Sequence, residues 1–383
     1  MKYDATMVRF IHTADWQLGM TRHFLDDDAQ ARFSEARIEA IRGIGRLATE
    51  ESCAFVVVCG DVFETNHIER RVIVRALDAM AETPDVTFYL LPGNHDPLNA
   101  SSVSRSATFL EHRPDNVVVL DEAGVVATGH GARLIAAPWT NKAPLVDLVH
   151  RAIDGVPPAE DVTIVVGHGA VDSLSPDDTN PALIVLNDLI ASIESGEVHY
   201  VALGDRHSTT KVEGSERIWY SGAPEPTAYR EVDPGNVLVV EVSHDGLDVT
   251  PHRTARWRFH TIEAELVGPQ DVGRLETALS DVEDKSMSIV QLVLVGQISL
   301  ADKVRLDAIL EHFSDLFASL NTWERHSDLV VLPNDQDFAS LQLSGFAGDA
   351  LDELVERAQG DGAESTAATD ALGLLYRLVG RAS

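Results

Sequence analysis

The sequence predicts an α/β layered fold with a smaller α+β unit and C-terminal helices. Short β-branched runs such as FVVVCGD and VTIVVGH alternate with segments whose apolar residues recur at helical spacing. Several of these runs end in Gly followed by Asp, Asn or His. Buried strands that alternate with helices are typical of sheets covered by helices.

The first two thirds of the chain carry this alternation. The predicted strands are MVRFIHTA, FVVVCGD, VTFYLLPGNHD, NVVVL, VTIVVGH and VHYVALGD. The predicted helices are AQARFSEARIEAIRGIGRLATE, RRVIVRALDAMAE, APLVDLVHRAID and ALIVLNDLIASIE. After residue 206, KVEGSERIWYSGA and NVLVVEVSHDGLDVTPH have the Gly and Asp turns of hairpins. We expect them to complete a first domain, residues 1–254.

A second pattern begins near RWRFHTIEAELVGP, which predicts a strand. A helix (DVGRLETALSDVE), a strand (SIVQLVLVGQIS) and a helix over 301–320 follow, so residues 255–335 predict a small α+β domain. Residues 336–383 predict two helical stretches joined by QGDGAEST. Their apolar faces would pack on the body or dock a partner, and consist of Leu351, Leu354, Val355, Leu372, Leu375 and Leu378.

The composition is that of a globular protein able to bury a core. The chain has 383 residues, 44% hydrophobic and 24% charged, without the apolar run of about 18 residues that a membrane span needs. With only Cys53 and Cys59, a reduced cytoplasmic protein is expected, and a disulfide between them is the alternative. The net charge of −31 repels nucleic acid at long range. DNA binding would therefore need bound metals, a local basic groove or a partner.

Polar side chains follow five of the strand-like runs. They are Asp15 with Gln17, Asp61, Asn94 with His95, His168, and Asp205 with His207. Taken singly, an Asp after a strand is more often a helix cap, and a histidine such as His168 is more often a core residue. Open α/β sheets, however, place their ligand crevice at the carboxyl ends of strands. Five clusters arriving at one edge therefore predict a metal site.

The residue types indicate the chemistry of this site. Carboxylate, carboxamide and imidazole groups together suit divalent ions such as Mn²⁺, Fe²⁺ or Zn²⁺. A shared carboxylate, Asp61, would bridge two ions about 3.5–4 Å apart. Such a pair activates a water and holds the attacking and leaving oxygens of a phosphoryl displacement.

The motifs HTADWQLG, GDVFE, LPGNHD, GHGAVD and ALGDRHS resemble, in their order, those of the calcineurin-like metallophosphoesterases. IHTADWQLG and YSGAPEPTAY resemble the SbcD-type nucleases of bacterial DNA double-strand-break repair in particular. The resemblance implies a two-sheet sandwich flanked by helices and a small domain that caps the site and positions DNA. It also implies a homodimer, and C-terminal helices that bind an SMC-like ATPase of the SbcC type.

The resemblance also implies a role for each matched residue. One ion would be held by Asp15, Gln17, Asp61 and His207, and the other by Asp61, Asn94, His168 and Asp205. His95 would face the phosphate as the catalytic residue. Mn²⁺ is the favoured ion, with Mg²⁺, Fe²⁺ or Zn²⁺ as alternatives.

Two positions depart from the family pattern. Gln17 stands where the pattern Asp-x-His has its histidine, and Asp205 stands at the first histidine of Gly-His-x-His. Gln is a neutral and weaker donor, whereas an anionic Asp205 favours Mn²⁺ or Mg²⁺ over softer ions. We interpret Gln17 and Asp205 together as changing the metal preference of the site and not as abolishing the site. His23 is either a replacement ligand or an ordinary loop residue.

The leading functional hypothesis is a metal-dependent DNA exonuclease or endonuclease that processes DNA ends with an ATPase partner. One alternative is a phosphodiesterase for a small nucleotide, and another is a weakly active scaffold. DNA would need basic groups near the site, for which the candidates are Arg22, Arg70, Arg71, Arg105, Arg206 and Arg230. Trp16 and Trp139 are expected in the core rather than as base-stacking platforms.

Overall fold

A computed structural model of the chain describes residues 7–177, 179–331 and 345–358, with positions 364, 365, 367, 368, 371, 372, 374 and 375. The chain divides into two compact units. The first comprises Met1–His23 and Gln30–Trp257, and the second Phe24–Ala29 and Arg258–Ser383. None of the helices in these described ranges is long and apolar enough to cross a membrane.

The strands are numbered in chain order. They are β1 (Val8–Thr13), β2 (Phe55–Cys59), β3 (Thr87–Leu91), β4 (Val117–Val119), β5 (Gly124–Ala127), β6 (Ala132–Ala136), β7 (Val162–His168), β8 (Tyr200–Gly204), β9 (Thr210–Lys211), β10 (Ile218–Tyr220), β11 (Asn236–Val242), β12 (Leu247–Arg253), β13 (Arg258–Leu266), β14 (Ser288–Ile298), β15 (Ser319–Thr322) and β16 (Asp328–Val331). The helices are α1 (Asp27–Glu50), α2 (Arg70–Ala81), α3 (Ala107–His112), α4 (Leu148–Ile153), α5 (Leu186–Glu194), α6 (Pro269–Asp281), α7 (Leu300–Ser314) and α8 (Phe346–Ala358).

Two mixed six-stranded sheets form the first unit. Sheet A has the order β12-β11-β1-β2-β3-β4, and sheet B has the order β5-β6-β7-β8-β10-β9. The strands β1 to β4 are parallel, as are β6, β7 and β8, so their carboxyl ends meet at common edges. This arrangement confirms the predicted α/β fold with two sheets flanked by helices.

Three apolar layers hold the first unit together. The central layer joins the facing sides of sheets A and B, with Phe10, Phe55 and Tyr200 among its buried rings. Helices α1 and α2 cover the outer side of sheet A, and α4 and α5 cover the outer side of sheet B. Because strands in the middle of each sheet are covered on both sides, they read as unbroken apolar runs.

The second unit has a third, smaller sheet. Strand β14 pairs in parallel with β13, β15 and β16, and residues of α6 and α7 bury the core of this sheet. Leu300, Leu351 and Leu372 form a separate buried cluster, against which Leu354 and Leu375 pack. These contacts favour the packing role predicted for the C-terminal apolar faces. Leu378 and much of the predicted segment 336–383 lie outside the described residues, so the three-domain division stays a prediction.

Several predicted elements differ in extent. The helix predicted over residues 182–194 begins only at Leu186, because Ile184 is buried in a bridge with Val171. The helix predicted over 143–154 begins at Leu148, where the Asp147 side chain caps it by accepting from two backbone amides. The helix predicted over 301–320 ends at Ser314, after which β15 begins. Strands β5, β6, β15 and β16 were not predicted.

The remaining expectations for the core hold. Cys53 and Cys59 are buried free thiols, so the alternative of a disulfide is wrong. Trp16 and Trp139 are both buried, as expected for core residues.

Candidate metal centre

The loops after β1 and β2 are bonded to each other at the carboxyl edge of sheet A. Asp15 donates its backbone N–H to the Gly60 carbonyl (3.1 Å), and Gln17 donates to the Asp61 carbonyl (3.0 Å). The side chains of Asp15 and Asp61 are thereby carried to the same point, and both are buried.

Four of the predicted ligands share an unusual backbone conformation. Asp15, Gln17, Asp61 and Asp205 all have positive φ, at 54°, 50°, 53° and 95°. A residue other than glycine in this region costs about 1–3 kcal/mol and persists only where its surroundings enforce it. The fold therefore accepts strain at the positions that direct these side chains into the centre.

Asp15, Asp61 and His168 form the centre itself. One ligand atom from each lies within 4.8 Å of the others, and all three residues are buried. Ligand atoms held about 2.0–2.2 Å from a common ion have separations of this order. The arrangement is that of a divalent metal site typical of dimetal phosphoesterases.

The surroundings of His168 test whether a cation fits. Its Nδ1 lies 2.8 Å from the Cys59 carbonyl, to which it donates, so Nε2 of the neutral ring carries a lone pair. That Nε2 faces three oxygens, from Asn94 (2.7 Å), Asp61 (3.5 Å) and Asp205 (3.8 Å). Acceptors that converge on a lone pair repel each other unless a proton or metal ion lies among them. The donor set therefore fits a cation.

The GNHD loop after β3 is fixed by a residue that the sequence analysis did not select. The Asp96 carboxylate accepts from the backbone amides of Gly93 (2.8 Å) and Phe63 (3.1 Å). His95 in turn donates its backbone N–H to Asp61 Oδ1 (2.9 Å). A Cβ at position 93 would lie 2.2 Å from that oxygen, so only glycine fits there. Asp96 directly follows the predicted catalytic residue His95, and this adjacency is the feature by which the sequence could have identified it.

Gln17 contributes a second test of metal fit. Its Nε2 donates to Asp61 Oδ2 (3.1 Å), while its Oε1 is buried and has no hydrogen-bond partner among the described residues. An unpartnered buried oxygen costs about 1–3 kcal/mol. A side-chain carbonyl oxygen is chemically able to coordinate a divalent cation, so this oxygen fits a metal site.

Asp205 and His207 complete the cluster from the loop after β8. Asp205 donates its backbone N–H to both carboxylate oxygens of Asp15, at 3.2 and 3.1 Å. His207 Nε2 lies 3.9 Å from Asp15 Oδ1, and its Nδ1 contacts Thr227 Oγ1 (2.6 Å) and Glu231 Oε1 (3.1 Å). The loop at 205–207 thus reaches the centre through Asp15.

Glu231 and Thr227 were missed by the sequence analysis. Glu231 accepts from the Thr227 backbone amide (2.9 Å) and hydroxyl, and from His207. Buried Arg37 donates to the Pro226 carbonyl (3.1 Å), and Arg22 donates to the Thr227 carbonyl (2.6 Å). This loop therefore orients the His207 ring. YSGAPEPTAY was recognised as a motif, but its last residue lies two positions before Glu231.

The electrostatics of the centre reflect concentrated acid groups. Burial raises the pKa of the Asp15 carboxyl to about 7, although His207 and His168 oppose that shift. Burial lowers the pKa of the His168 imidazole, but Asp61, Asp15 and Asp205 outweigh it and raise the pKa to about 9. Both shifts favour added positive charge, which a divalent ion supplies.

A cleft of about 780 Å³ opens onto the centre. Arg22, Arg206 and Arg230 line it, together with His95, Asp205 and His207. Three other predicted arginines, Arg70, Arg71 and Arg105, are not among its lining residues. His23 is exposed and does not line it, so nothing places it as a replacement ligand.

Acidic and imidazole ligands buried at the carboxyl edge of a two-sheet α/β fold define a metal-dependent phosphoesterase. The chain belongs to the calcineurin-like phosphoesterase family, which matches residues 8–209.

Distant relatives extend over most of the chain. The chain is similar to the DNA double-strand break repair protein Mre11 of Methanosarcina acetivorans, at 22% identity over 277 residues, or 69% of this chain. It spans only 41% of that protein's length. It is also similar to a subunit of the nuclease SbcCD of Bacillus subtilis, at 20% identity over 323 residues, 72% of this chain and 78% of that one. A solved dimetal phosphatase from Danio rerio is similar with a TM-score of 0.39 and 13% identity, covering 64% of this chain and 99% of that chain.

Proposed function

We propose that the protein is a metal-dependent phosphodiesterase that hydrolyses DNA at its ends, as an exonuclease, an endonuclease or both. The observation that carries the proposal is the buried group of Asp15, Asp61 and His168, in which His168 Nε2 faces three acceptor oxygens. Similarity to an Mre11 protein and to an SbcCD nuclease subunit supports DNA as the substrate.

The ligand set would hold two divalent ions. Asp15, Gln17, Asp61 and His207 would bind one, and Asp61, Asn94, His168 and Asp205 the other. Mn²⁺ is the favoured ion because Asp205 adds a carboxylate where the family pattern has an imidazole. When bound, such ions supply an activated water and stabilise the charge that develops on the phosphate.

His95 is the proposed catalytic residue. Its Nδ1 lies 3.0 Å from the Glu64 carbonyl, to which it donates, and this contact fixes the ring. Its Nε2 is then directed to the cleft, 4.0 Å from Asp61 Oδ2, and the side chain is 40% exposed. An imidazole in this position can reach a phosphate oxygen and, when it also carries a proton on Nε2, can transfer that proton to the leaving group.

The proposed partners follow from the relatives. The B. subtilis relative belongs to a nuclease called SbcCD, and we extend to this chain an SMC-like ATPase partner of the SbcC type. The proposed architecture has the smaller unit positioning DNA, the C-terminal helices binding the ATPase and two copies forming a dimer.

Nucleotide release from linear DNA tests the proposal. The purified chain is assayed with Mn²⁺ and with EDTA, beside His95→Ala and the control His130→Ala, an exposed residue in the turn between β5 and β6. We expect Mn²⁺-dependent release that falls by about 10²–10⁴-fold in His95→Ala and stays unchanged in the control.

The same assay separates the alternatives. Hydrolysis of bis(p-nitrophenyl) phosphate or of a cyclic nucleotide without DNA cleavage, even with an SbcC-type ATPase added, would replace the DNA proposal with a small-substrate phosphodiesterase. Metal binding with no hydrolysis of any of these substrates would indicate a scaffold instead.

A further inference from the structure

A second concave surface lies on the first unit. It has a volume of about 520 Å³ and is bordered by α1 and by the end of β12 with the residues that follow. In the described part of the chain it shares no lining residue with the metal cleft. We call it the α1–β12 groove, and its charged lining residues are Glu39, Arg46, His252, Arg253 and Arg256.

The α1–β12 groove carries the positive charge of three arginines. Arg46, Arg253 and Arg256 are exposed, and no carboxylate among the residues that the structure describes forms an ion pair with them. Glu39 is paired with Arg42 at 2.5 Å. The chain has 61 acidic and 30 basic residues, so a concave surface lined by three arginines differs in local charge from the molecule as a whole.

Glu225 interacts electrostatically with Arg256 but forms no ion pair with it in the described part of the chain. Glu225 is buried, and its two carboxylate oxygens accept the backbone amides of Arg256 (2.9 Å) and Trp257 (3.1 Å). These bonds fix the backbone that carries Arg256. The Arg253 guanidinium donates to the Pro234 carbonyl at 3.4 Å, which leaves its other nitrogens for a ligand.

Strand register places this groove at the edge that holds the metal centre. Strand β11 is antiparallel to both β1 and β12, so β1 and β12 end at the same edge. His12 pairs with Leu238, and two residues earlier on β11 Asn236 pairs with Arg253. Arg253 is therefore level with residue 14 along the strands. Strand β11 lies between them, so their backbones are about 10 Å apart. Asp15 is the next residue of that loop.

We propose that the α1–β12 groove binds a backbone phosphate of the nucleic-acid strand whose scissile phosphodiester occupies the metal cleft. This inference rests on the proposed function. Guanidinium groups match phosphate oxygens in paired hydrogen bonds. Because the molecule as a whole repels polyanions, attraction must come from local groups of this kind. The groove therefore adds a second point of attachment beside the metal centre.

A matched pair of double variants tests this site. Arg253→Ala/Arg256→Ala removes two charges from the groove, and Arg113→Ala/Arg151→Ala removes two exposed arginines elsewhere. Binding of fluorescein-labelled linear duplex is measured in EDTA, so that no cleavage occurs, over a range of salt concentrations. We expect about tenfold weaker binding for the groove variant and a salt dependence smaller by about one to two released counterions. The control should bind within about twofold of the unmodified chain.

The outcomes separate this inference from the proposed function. Hydrolysis of bis(p-nitrophenyl) phosphate should be equal in all variants, because that substrate fills only the cleft. Wild-type cleavage of DNA together with equal DNA affinity in both double variants would overturn the groove alone. A wild-type chain that hydrolyses the small ester but neither binds nor cleaves DNA would overturn the proposed function and the groove with it. One further outcome is that inorganic phosphate displaces DNA when the two supply equal concentrations of phosphate groups. That result would also overturn the assignment of the groove to a DNA strand.

Discussion

Gln17 links the two unusual features of the centre, a left-handed backbone and an unpartnered buried oxygen. If that oxygen is a ligand, its effect on stability must change sign with metal. Without metal, it is a buried acceptor that costs about 1–3 kcal/mol. With metal, the same atom stabilises the folded state through binding.

Gln17→Met keeps an unbranched side chain and removes both polar atoms. In EDTA we expect a melting temperature close to that of the unmodified chain, because loss of the Nε2 bond to Asp61 offsets removal of the unpartnered oxygen. With Mn²⁺ we expect the metal-induced stabilisation to fall by about 1.4 kcal/mol, corresponding to about tenfold weaker binding. Thermal unfolding across a Mn²⁺ titration checks both. Equal metal-induced stabilisation in the two proteins would remove Gln17 from the ligand set.

Glu231 acts on the centre through His207. Burial raises the pKa of the Glu231 carboxyl, but hydrogen bonds from His207 and Thr227 outweigh burial and lower it. An ionised carboxylate at Nδ1 fixes the ring so that Nε2 is presented to the centre, as carboxylates do for metal-binding histidines.

Glu231→Gln should therefore weaken Mn²⁺ binding by about 10–100-fold. Calorimetric titration with Mn²⁺ measures the affinity, and thermal unfolding in EDTA reports on the fold itself. The control is Glu216→Gln, which removes an exposed partner of Lys211 at 2.7 Å. Equal losses of affinity in both variants would show a general charge effect instead of orientation of His207.

Residues such as Asp61 and His168 could be found from the sequence because each ends an apolar strand, and parallel strands end at one edge. Glu231 could not be found this way. Its role depends on residues 227–231 folding back onto His207, a contact across 24 residues that no periodicity encodes. Roles for Gln17 and Asp205 came from family resemblance, while their strained backbone is visible only in three dimensions.

Among the secondary-structure elements, helix α1 contains two glycines whose replacement by alanine can be compared directly. Gly43 and Gly45 both lie inside this helix, where glycine is less favourable than alanine by about 1 kcal/mol. A Cβ at position 43 would meet only Arg46 at 3.9 Å, whereas one at position 45 would lie 2.5 Å from Thr83 Oγ1. The two glycines therefore differ in packing and not in local conformation.

Gly43→Ala should raise the free energy of unfolding by about 0.5–1 kcal/mol. Gly45→Ala should lower it by about 1–3 kcal/mol, because α1 must move away from Thr83. Urea unfolding measures both, and the comparison needs no metal. Stabilisation by both substitutions would mean that α1 and the turn at Thr83 adapt without cost.

The elements that the sequence predicts well are those with both faces covered. Strands β2 and β7 are continuous apolar runs and are buried along their whole length. Strand β5 has only four residues, which alternate between half-buried and exposed, so its signal is weak. Its partner β6 is buried, but it follows two glycines with positive φ that interrupt the apolar pattern. Apolar periodicity also overextended α5, since Ile184 is buried without being helical.

At the scale of the whole first unit, a buried histidine other than His168 also joins the two sheets. His12 lies on β1 of sheet A, with Nδ1 3.1 Å from the Tyr200 hydroxyl and Nε2 3.1 Å from the Leu203 carbonyl, both on β8 of sheet B. A neutral ring satisfies both contacts by accepting from Tyr200 and donating to Leu203. A second proton would leave the Tyr200 hydroxyl facing an N–H and would bury a charge between the sheets.

Burial accordingly lowers the pKa of His12 from 6.5 to about 3, although the Leu203 carbonyl opposes the shift. Between these two values the unfolded chain binds a proton that the folded chain does not, so stability falls as the pH decreases from about 6.5 towards 3. The full shift corresponds to an upper limit of about 5 kcal/mol. Above pH 6.5 both states are neutral at this position, and His12 adds no pH dependence.

His12→Gln should retain a donor to the Leu203 carbonyl and abolish this titration. We expect the variant to be less stable than the unmodified chain at pH 7, and the difference to narrow steadily as the pH is lowered towards 4. Urea unfolding at a series of pH values in EDTA measures the difference in free energy of unfolding between the two proteins. Other titrating groups, such as His199, contribute equally to both proteins and cancel in that difference. A difference that stayed constant with pH would show that the folded and unfolded chains bind the same number of protons at His12, so that burial does not lower its pKa. Below pH 6.5 the ring between the sheets would then be charged, and the Tyr200 hydroxyl would have to rotate to accept its second N–H.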